Sequence, residues 1–169
     1  EARDAGAERM IFVSHPSKGA IERHVMDDAA LRQTLCSRGK DEIAEQLQEA
    51  ALGCDGDDVV FGMQDEPLGL GHAVGCAAEH VLPGPVAVLL PDDLIVGPKG
   101  CLHEMADAYA RSGCRQLVAM MDVPKEDTSS YGILDLMAGE GALRTARGMV
   151  EKPAPEKAPS TKAGVGRYI

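Results

Sequence analysis

Short apolar runs alternate along this chain with longer stretches in which apolar residues recur every three or four positions. Met10 to Ser14 holds Ile11, Phe12 and Val13 in succession, which reads as a buried parallel strand. From Ser17 the spacing becomes helical, with Ala20, Ile21 and Val25 on one face. Helical spacing continues from about Asp28 to Leu52 through Leu31, Leu35, Ile43, Leu47 and Ala50, broken near Gly39. Gly53 to Asp58 is turn material, Asp58 to Met63 a second strand. Gly69 to Val81 is predicted as a helix with Ala73, Val74, Ala77 and Val81 facing inward, and Pro85 to Leu90 as a third strand. Lys99 to Arg111 is predicted as a helix on Leu102, Met105, Ala106 and Tyr109, and Gln116 to Val123 as a fourth strand. This β-α-β-α-β-α-β order predicts an α/β fold, a mostly parallel sheet with helices on both faces.

The pattern changes after Pro124. Tyr131 to Leu136, Leu143 to Glu151 and Ala163 to Ile169 read as strands with no helix between them. Asp127 to Ser130 and Gly139 to Gly141 are turns, and Pro153 to Ser160 is a proline-rich loop. These strands are expected to lie over the mouth of the sheet. No linker divides the chain, so residues 1–169 are read as a single domain.

Composition narrows the possibilities. A chain of 169 residues with 44% hydrophobic content can bury a real core. Trp is absent and aromatics are 3%, so no aromatic platform for single-stranded nucleic acid is expected. A net charge of -10 without a basic face argues against nucleic acid and against a charged membrane surface as partners. Cys36, Cys54, Cys76, Cys101 and Cys114 show no C-x-x-C spacing. That odd, scattered set suits reduced thiols in a cytoplasm. No apolar run approaches the ~20 residues of a membrane span, and no signal peptide is visible. The chain starts at Glu1 rather than Met and stops after a strand-like run. Both ends are expected to have been cut from something longer.

Candidate chemistry concentrates in two places. Gln64 to Val74 is a polar loop opening into a helix through Gly69 and Gly71, which let the backbone approach a ligand closely. Pro91-Asp92-Asp93 follows the apolar run Val86 to Leu90, and ligands of doubly wound sheets gather at strand carboxyl ends. Asp92 offers hard oxygen for a divalent cation, and Asp93 reads as a support or turn residue. Plainer readings stand beside these: helix-entry glycines, a solvated acidic turn, and a core position for His72. His15, His24, His80 and His103 share no metal-ligand spacing. Asp55-Gly56-Asp57-Asp58 lacks the ligand alternation of a calcium loop and reads as a solvated turn.

Taken in order, several segments are similar to bacterial UTP–glucose-1-phosphate uridylyltransferases. Gln64-Asp65-Glu66-Pro67-Leu68-Gly69-Leu70-Gly71-His72-Ala73-Val74 resembles that family's Q-x-x-P-L-G-L-G-H-A-V, and Leu89 to Asp93 its L-L-P-D-D. Ser130-Tyr131-Gly132-Ile133 resembles its R-Y-G-I, Val150-Glu151-Lys152-Pro153 its V-E-K-P, and Val165-Gly166-Arg167-Tyr168 its V-G-R-Y. Ala20-Ile21-Glu22-Arg23-His24 matches its early A-I-E-x-H.

The resemblance implies a Rossmann-like nucleotidyltransferase fold, truncated at both ends. It implies transfer of UMP from UTP to glucose 1-phosphate, giving UDP-glucose and pyrophosphate with Mg2+. Residue by residue, it implies that Gln64 reads the uracil edge and Gly69 meets the base through its backbone. Asp92 would hold the Mg2+ and Lys152 the sugar phosphate, the two being the catalytic candidates. Gly132, Glu151, Lys152, Val165 and Gly166 would form the sugar pocket. A homo-oligomeric parent is implied as well. The family's opening glycine-rich, phosphate-cradling loop and its C-terminal part have no counterpart here, so feeble or absent turnover is expected of this stretch alone. The alternatives are a sugar-1-phosphate nucleotidyltransferase using dTTP, CTP or ATP, and a non-catalytic nucleotide-sugar binding module or remnant.

Overall fold

The two phenylalanines of the chain, Phe12 and Phe61, stack with ring centroids 5.5 Å apart. They face each other across a parallel pair formed by β1 (Arg9–Ser14) and β2 (Asp58–Met63). This computed structural model describes residues 1–53 and 58–169. The acidic turn read at 55–58 and Cys54 therefore fall outside the described residues, except for Asp58. The register is pinned at its start. Arg9 Nε donates to Asp58 Oδ2 at 2.7 Å, and its NH1 donates to the His80 carbonyl at 2.7 Å.

Between these strands run α1 (Gly19–Val25), α2 (Ala29–Ser37) and α3 (Asp41–Ala50). Asp28 caps α2, its Oδ1 accepting from Leu31 N at 2.9 Å. Gly39, at φ 69°, makes the turn into α3, where the sequence places its break. After β2 comes α4 (Leu70–Cys76), followed by a 3-10 turn at Ala78–His80. The predicted helix over 69–81 is thus shorter than expected. Gly69, Gly71 and Gly75 sit in or beside its few turns, each costing about 1 kcal/mol relative to Ala inside a helix. The inward face is also narrower: Val74 and Val81 are exposed, whereas Ala73 and Ala77 are half-buried. All these elements belong to one compact unit, Ala7–Gly84.

A second unit joins Glu1–Gly6 to Pro85–Ile169. It contains β3 (Val88–Leu89), α5 (Cys101–Ser112), β4 (Val118–Asp122), β5 (Gly132–Leu136), β6 (Ala146–Glu151) and β7 (Lys162–Tyr168). α5 buries Leu102 and Met105 and ends at Gly113, left-handed at φ 64°.

β7 is the centre of this sheet rather than a layer over its mouth. Val88 and Val118 both pair with Tyr168, and Ile133 and Met121 both pair with Ala163. β4 therefore flanks one side of β7, while β3 and β5 share the other. That sharing explains why the third strand shrinks from the predicted 85–90 to two residues: β3 has only one end of β7 to pair with. All pairings of β7 are antiparallel; among the described strands the expected parallel pairing is that of β1 and β2, with a parallel bridge between Met26 and Leu52 beside it. β6, which precedes β7 in the chain, pairs with β5 and not with β7, so the loop after β6 carries the chain past β5 to reach β7. Val123, Ile133 and Ala163 form the buried cluster beneath. Thr128, in the 3-10 turn Lys125–Ser130, is also fully buried, its hydroxyl donating to the Lys125 carbonyl at 2.9 Å.

Candidate functional site

Side chains alternate across a strand, and this divides the candidate residues of β5, β6 and β7 between two faces. Gly132 pairs with Glu151 and Leu134 with Met149, so these four share a face. A Cβ placed on Gly132 would lie 2.7 Å from Met149 Sδ and 3.2 Å from Glu151 Oε2, and one on Gly164 would lie 3.2 Å from the same sulfur. Glycines thus floor this face, with the Met149 thioether and the Glu151 carboxylate resting on it. Gly166 follows Gly164 by two residues and lies on the same face. Val165 lies between them and points its side chain to the other, with Ala163 and Arg167. Of the two β7 residues expected in the sugar pocket, Val165 and Gly166, only Gly166 presents its side-chain position to the glycine floor.

Glu151 and Lys152 are consecutive, which in an extended strand would send their side chains apart. The chain bends at Lys152 itself, at φ 46°, and not at Pro153. Its amide donates to the Tyr131 carbonyl at 3.0 Å, and its Nζ comes within 3.8 Å of Glu151 Oε1. A non-glycine residue in the left-handed region is uncommon and costs about 1–3 kcal/mol. Carboxylate and ammonium are thereby offered together, exposed, on one side of the sheet edge.

The segment after β3 forms a turn whose two ends are tied down. Asp93 Oδ2 accepts from Gly166 N at 2.6 Å. Arg167, 5% exposed, donates to the Leu90 carbonyl at 3.1 Å and the Asp93 carbonyl at 3.0 Å. The same guanidinium grips Glu1, NH2 to Oε2 at 2.8 Å and Nε to Oε1 at 3.1 Å. Glu1 Oε1 also accepts from Leu102 N in the first turn of α5. The Arg167 bond holds the Glu1 carboxyl below its ordinary range, against the opposing effect of burial. Burial, then the charges of Asp93 and Glu151, pushes the Tyr168 phenol up.

Asp92 stands at the tip of this turn, exposed and without a hydrogen-bond or ion-pair partner among the described residues. An unpaired carboxylate of this kind suits Mg2+, which takes one or two carboxylates and completes its shell with water and phosphate oxygens. No cluster of three or more acidic, His or Cys side chains able to cage a metal occurs among the described residues.

In the unit Ala7–Gly84, Gln64 follows β2, and its amide donates to the Ser14 carbonyl at 2.7 Å. Its side-chain Nε2 donates to Gly69 O at 3.2 Å and to His72 Nδ1 at 2.9 Å. These bonds orient the amide and assign His72 the tautomer protonated at Nε2. The donor side of Gln64 is therefore spent within the loop, and Oε1 remains as an acceptor. Gly69 sits at φ 94° at the start of α4. Beside it opens a pocket of about 310 Å³ lined by Met63, Asp65, Glu66, Leu68, His72 and Cys76.

Sequence reasoning assigned no role to Arg167. A cation directly after the small and apolar run 163–166 was the available signal.

Comparison with known proteins bears on the family and the fold. The nucleotidyl transferase family model matches residues 19–169. The UTP–glucose-1-phosphate uridylyltransferase YngB of Bacillus subtilis is 37% identical over 169 residues, covering 100% of this chain and 56% of that protein. The UDP-glucose pyrophosphorylase of Acinetobacter baumannii superposes with a TM-score of 0.85 at 33% identity, covering 99% of this chain and 59% of that one. A UTP-bound form from the same organism gives 0.84 at 33% identity, with 99% and 59% covered. The chain spans a little over half the length of the curated relatives it matches. With a nucleotidyl transferase match over most of its residues, and with that fold, the chain belongs to the nucleotidyl transferase family.

Proposed function

We propose that this chain forms part of a UTP–glucose-1-phosphate uridylyltransferase, joining UMP from UTP to glucose 1-phosphate and releasing pyrophosphate. One observation carries the reading: the left-handed turn at Lys152 sets a carboxylate and an ammonium side by side at the edge of a glycine-floored face. Glu151 can accept from sugar hydroxyls while Lys152 meets the sugar phosphate as a point charge. Gly132 and Gly164 would admit a sugar ring against the backbone once the flexible Met149 side chain swings aside, whereas the space over Gly166 is filled by Asp93 and Leu90. Phosphoryl transfer of this kind depends on positioning and charge neutralisation rather than on an obligatory general base. The sugar phosphate oxygen attacks the α-phosphorus in line, and the pyrophosphate oxygen leaves. Asp92 would hold Mg2+, whose charge would offset that of the phosphates.

Gln64 favours uracil or thymine over cytosine. Its free Oε1 can accept from the N3–H of uracil or thymine, whereas cytosine presents a lone pair at that ring nitrogen. Gly69 N–H, without an acceptor among the described residues, can serve a base carbonyl. The relative whose UTP complex is known supports the nucleotide assignment. A single catalytic domain, a homo-oligomeric assembly and a cytoplasmic setting complete the reading. None of the described helices is long and apolar enough to cross a membrane.

Incubated with UTP, glucose 1-phosphate and Mg2+, this stretch alone is expected to yield UDP-glucose and pyrophosphate at most feebly. Replacing UTP by dTTP, CTP or ATP separates the nucleotide alternatives. UDP-glucose binding without turnover favours a binding module, and absence of both binding and turnover defeats the proposal.

A further inference from the structure

Asp92 is exposed and touches nothing that would aim it, yet a carboxylate that meets a cation carried by a triphosphate must stand in a fixed place. The bonds that could fix it all come from one strand. Arg167 donates to the carbonyls of Leu90 and Asp93, which bracket Pro91 and Asp92 on either side. The amide of its neighbour Gly166 donates to the Asp93 carboxylate at 2.6 Å, and the Gly166 carbonyl accepts from Leu90 N at 2.9 Å. Two consecutive residues of β7 thus hold both ends of a four-residue turn and leave only its tip free.

The glycine at 166 follows from this packing. A Cβ there would lie 2.5 Å from Asp93 Oδ2 and 2.6 Å from Leu90 Cβ. Those are the turn's own atoms, and the backbone approach that forms the clamp would be lost. Arg167 is in turn fixed by Glu1, whose carboxylate also bonds the first turn of α5 through Leu102 N. The turn is therefore anchored, through one guanidinium, to a helix as well as to the sheet.

We propose that Arg167 and Asp93 are positioning residues that hold the Leu90–Asp93 turn so that Asp92 meets the cation. The proposal rests on the reading of Asp92 as a metal-binding carboxylate. Arg167 acts through two carbonyls, and Asp93 acts through the amide of Gly166; neither touches the cation. Gly166, expected from sequence to line the sugar pocket, is here the contact that admits the turn.

Binding of Mn2+ with UTP, followed by water proton relaxation enhancement, tests this in the Asp92→Ala, Asp93→Ala, Asp93→Asn and Arg167→Lys variants. Hydrogen exchange across residues 90–95 is measured on the same samples. Asp93→Ala is expected to weaken Mn2+ affinity roughly tenfold, the scale of outer-shell metal partners, and to speed exchange across the turn. Asp93→Asn keeps an acceptor for Gly166 N and is expected to recover most of that affinity. Arg167→Lys reaches at most one carbonyl and is expected to fall between. Unchanged Mn2+ affinity in Asp93→Ala, alongside a clear loss in Asp92→Ala, overturns the positioning role while sparing the metal reading. Unchanged affinity in Asp92→Ala overturns both. Should Arg167→Lys fail to fold, the Asp93 pair decides the matter.

Discussion

Lys152 Nζ lies 3.8 Å from Glu151 Oε1 although the two residues are neighbours at the end of a strand. The pair is exposed, so the attraction itself contributes only about 0–1 kcal/mol. What makes it possible is the backbone of Lys152, turned into the left-handed region and held by the carbonyl of Tyr131. Strain of this kind persists where the surroundings fix it, often at functional sites.

Substitution at 152 separates backbone strain from charge. Lys152→Gly relieves the left-handed penalty but adds freedom to the unfolded chain. Its unfolding free energy should stay within about 1 kcal/mol of the parent. Lys152→Val, β-branched, should lose about 1–3 kcal/mol. Urea unfolding of both decides: equal stabilities would mean that the turn moves freely and that Lys152 is not held.

Gly164 and Gly166 occupy the same face of the same strand but meet different neighbours. An added methyl at 166 runs into Asp93 and Leu90, part of a bonded turn, and overpacking of that kind costs about 1–3 kcal/mol. At 164 the nearest atom is the sulfur of Met149, at the mobile end of a half-exposed side chain. Gly166→Ala should therefore be clearly less stable than Gly164→Ala in denaturant unfolding. A reversed order would mean that the Leu90–Asp93 turn yields more easily than the Met149 side chain.

The legible parts of this fold were those written in short-range pattern. β2 runs over Asp58–Met63 as the sequence predicts, because a continuous apolar run bounded by turn residues has few other readings. The break at Gly39 and the helix on Leu102 and Met105 followed from the same logic. What escaped was long-range. Nothing in the pattern of 163–169 says which strands it joins, so its central place between β4 and the β3–β5 side could not be read. Gly69 and Gly71 read as ligand access, whereas with Gly75 they also shorten the helix. At the site, residue types were legible and their roles in holding one another were not. That Arg167 grips the turn bearing Asp92, and that Gln64 turns its donors toward Gly69 and His72, are facts of side-chain placement that spacing does not encode.

Acid should weaken the second unit through Glu1. Its carboxyl titrates below the ordinary value of 4.5 in the folded chain because Arg167 stabilises the charged form. A group depressed on folding stabilises the native state above its unfolded pKa, and that contribution fades as pH falls through the folded value. Glu1→Gln should therefore unfold more readily than the parent at pH 7. The gap should narrow below pH ~4.5, where the parent's carboxyl becomes neutral as well. Urea midpoints at several pH values check this; a gap that stays constant into acid would show that the charge of Glu1 contributes nothing.

Base selection should depend on how Gln64 is held. Its Nε2 bonds to Gly69 O and His72 Nδ1 leave Oε1 as the group able to meet a ring N3–H. Losing one neutral hydrogen bond costs about 0.5–1.5 kcal/mol, so Gln64→Ala should weaken UTP binding by roughly 2- to 10-fold. CTP, which offers no hydrogen at N3, should be less affected, and the preference for UTP should shrink. His72→Phe removes one of the two acceptors orienting the amide, so the amide can rotate. It should blunt the preference without abolishing UTP binding, because Gln64 itself is retained. Calorimetry with both nucleotides on the three proteins measures the two effects separately. An undiminished UTP preference in Gln64→Ala would mean that the base is read elsewhere.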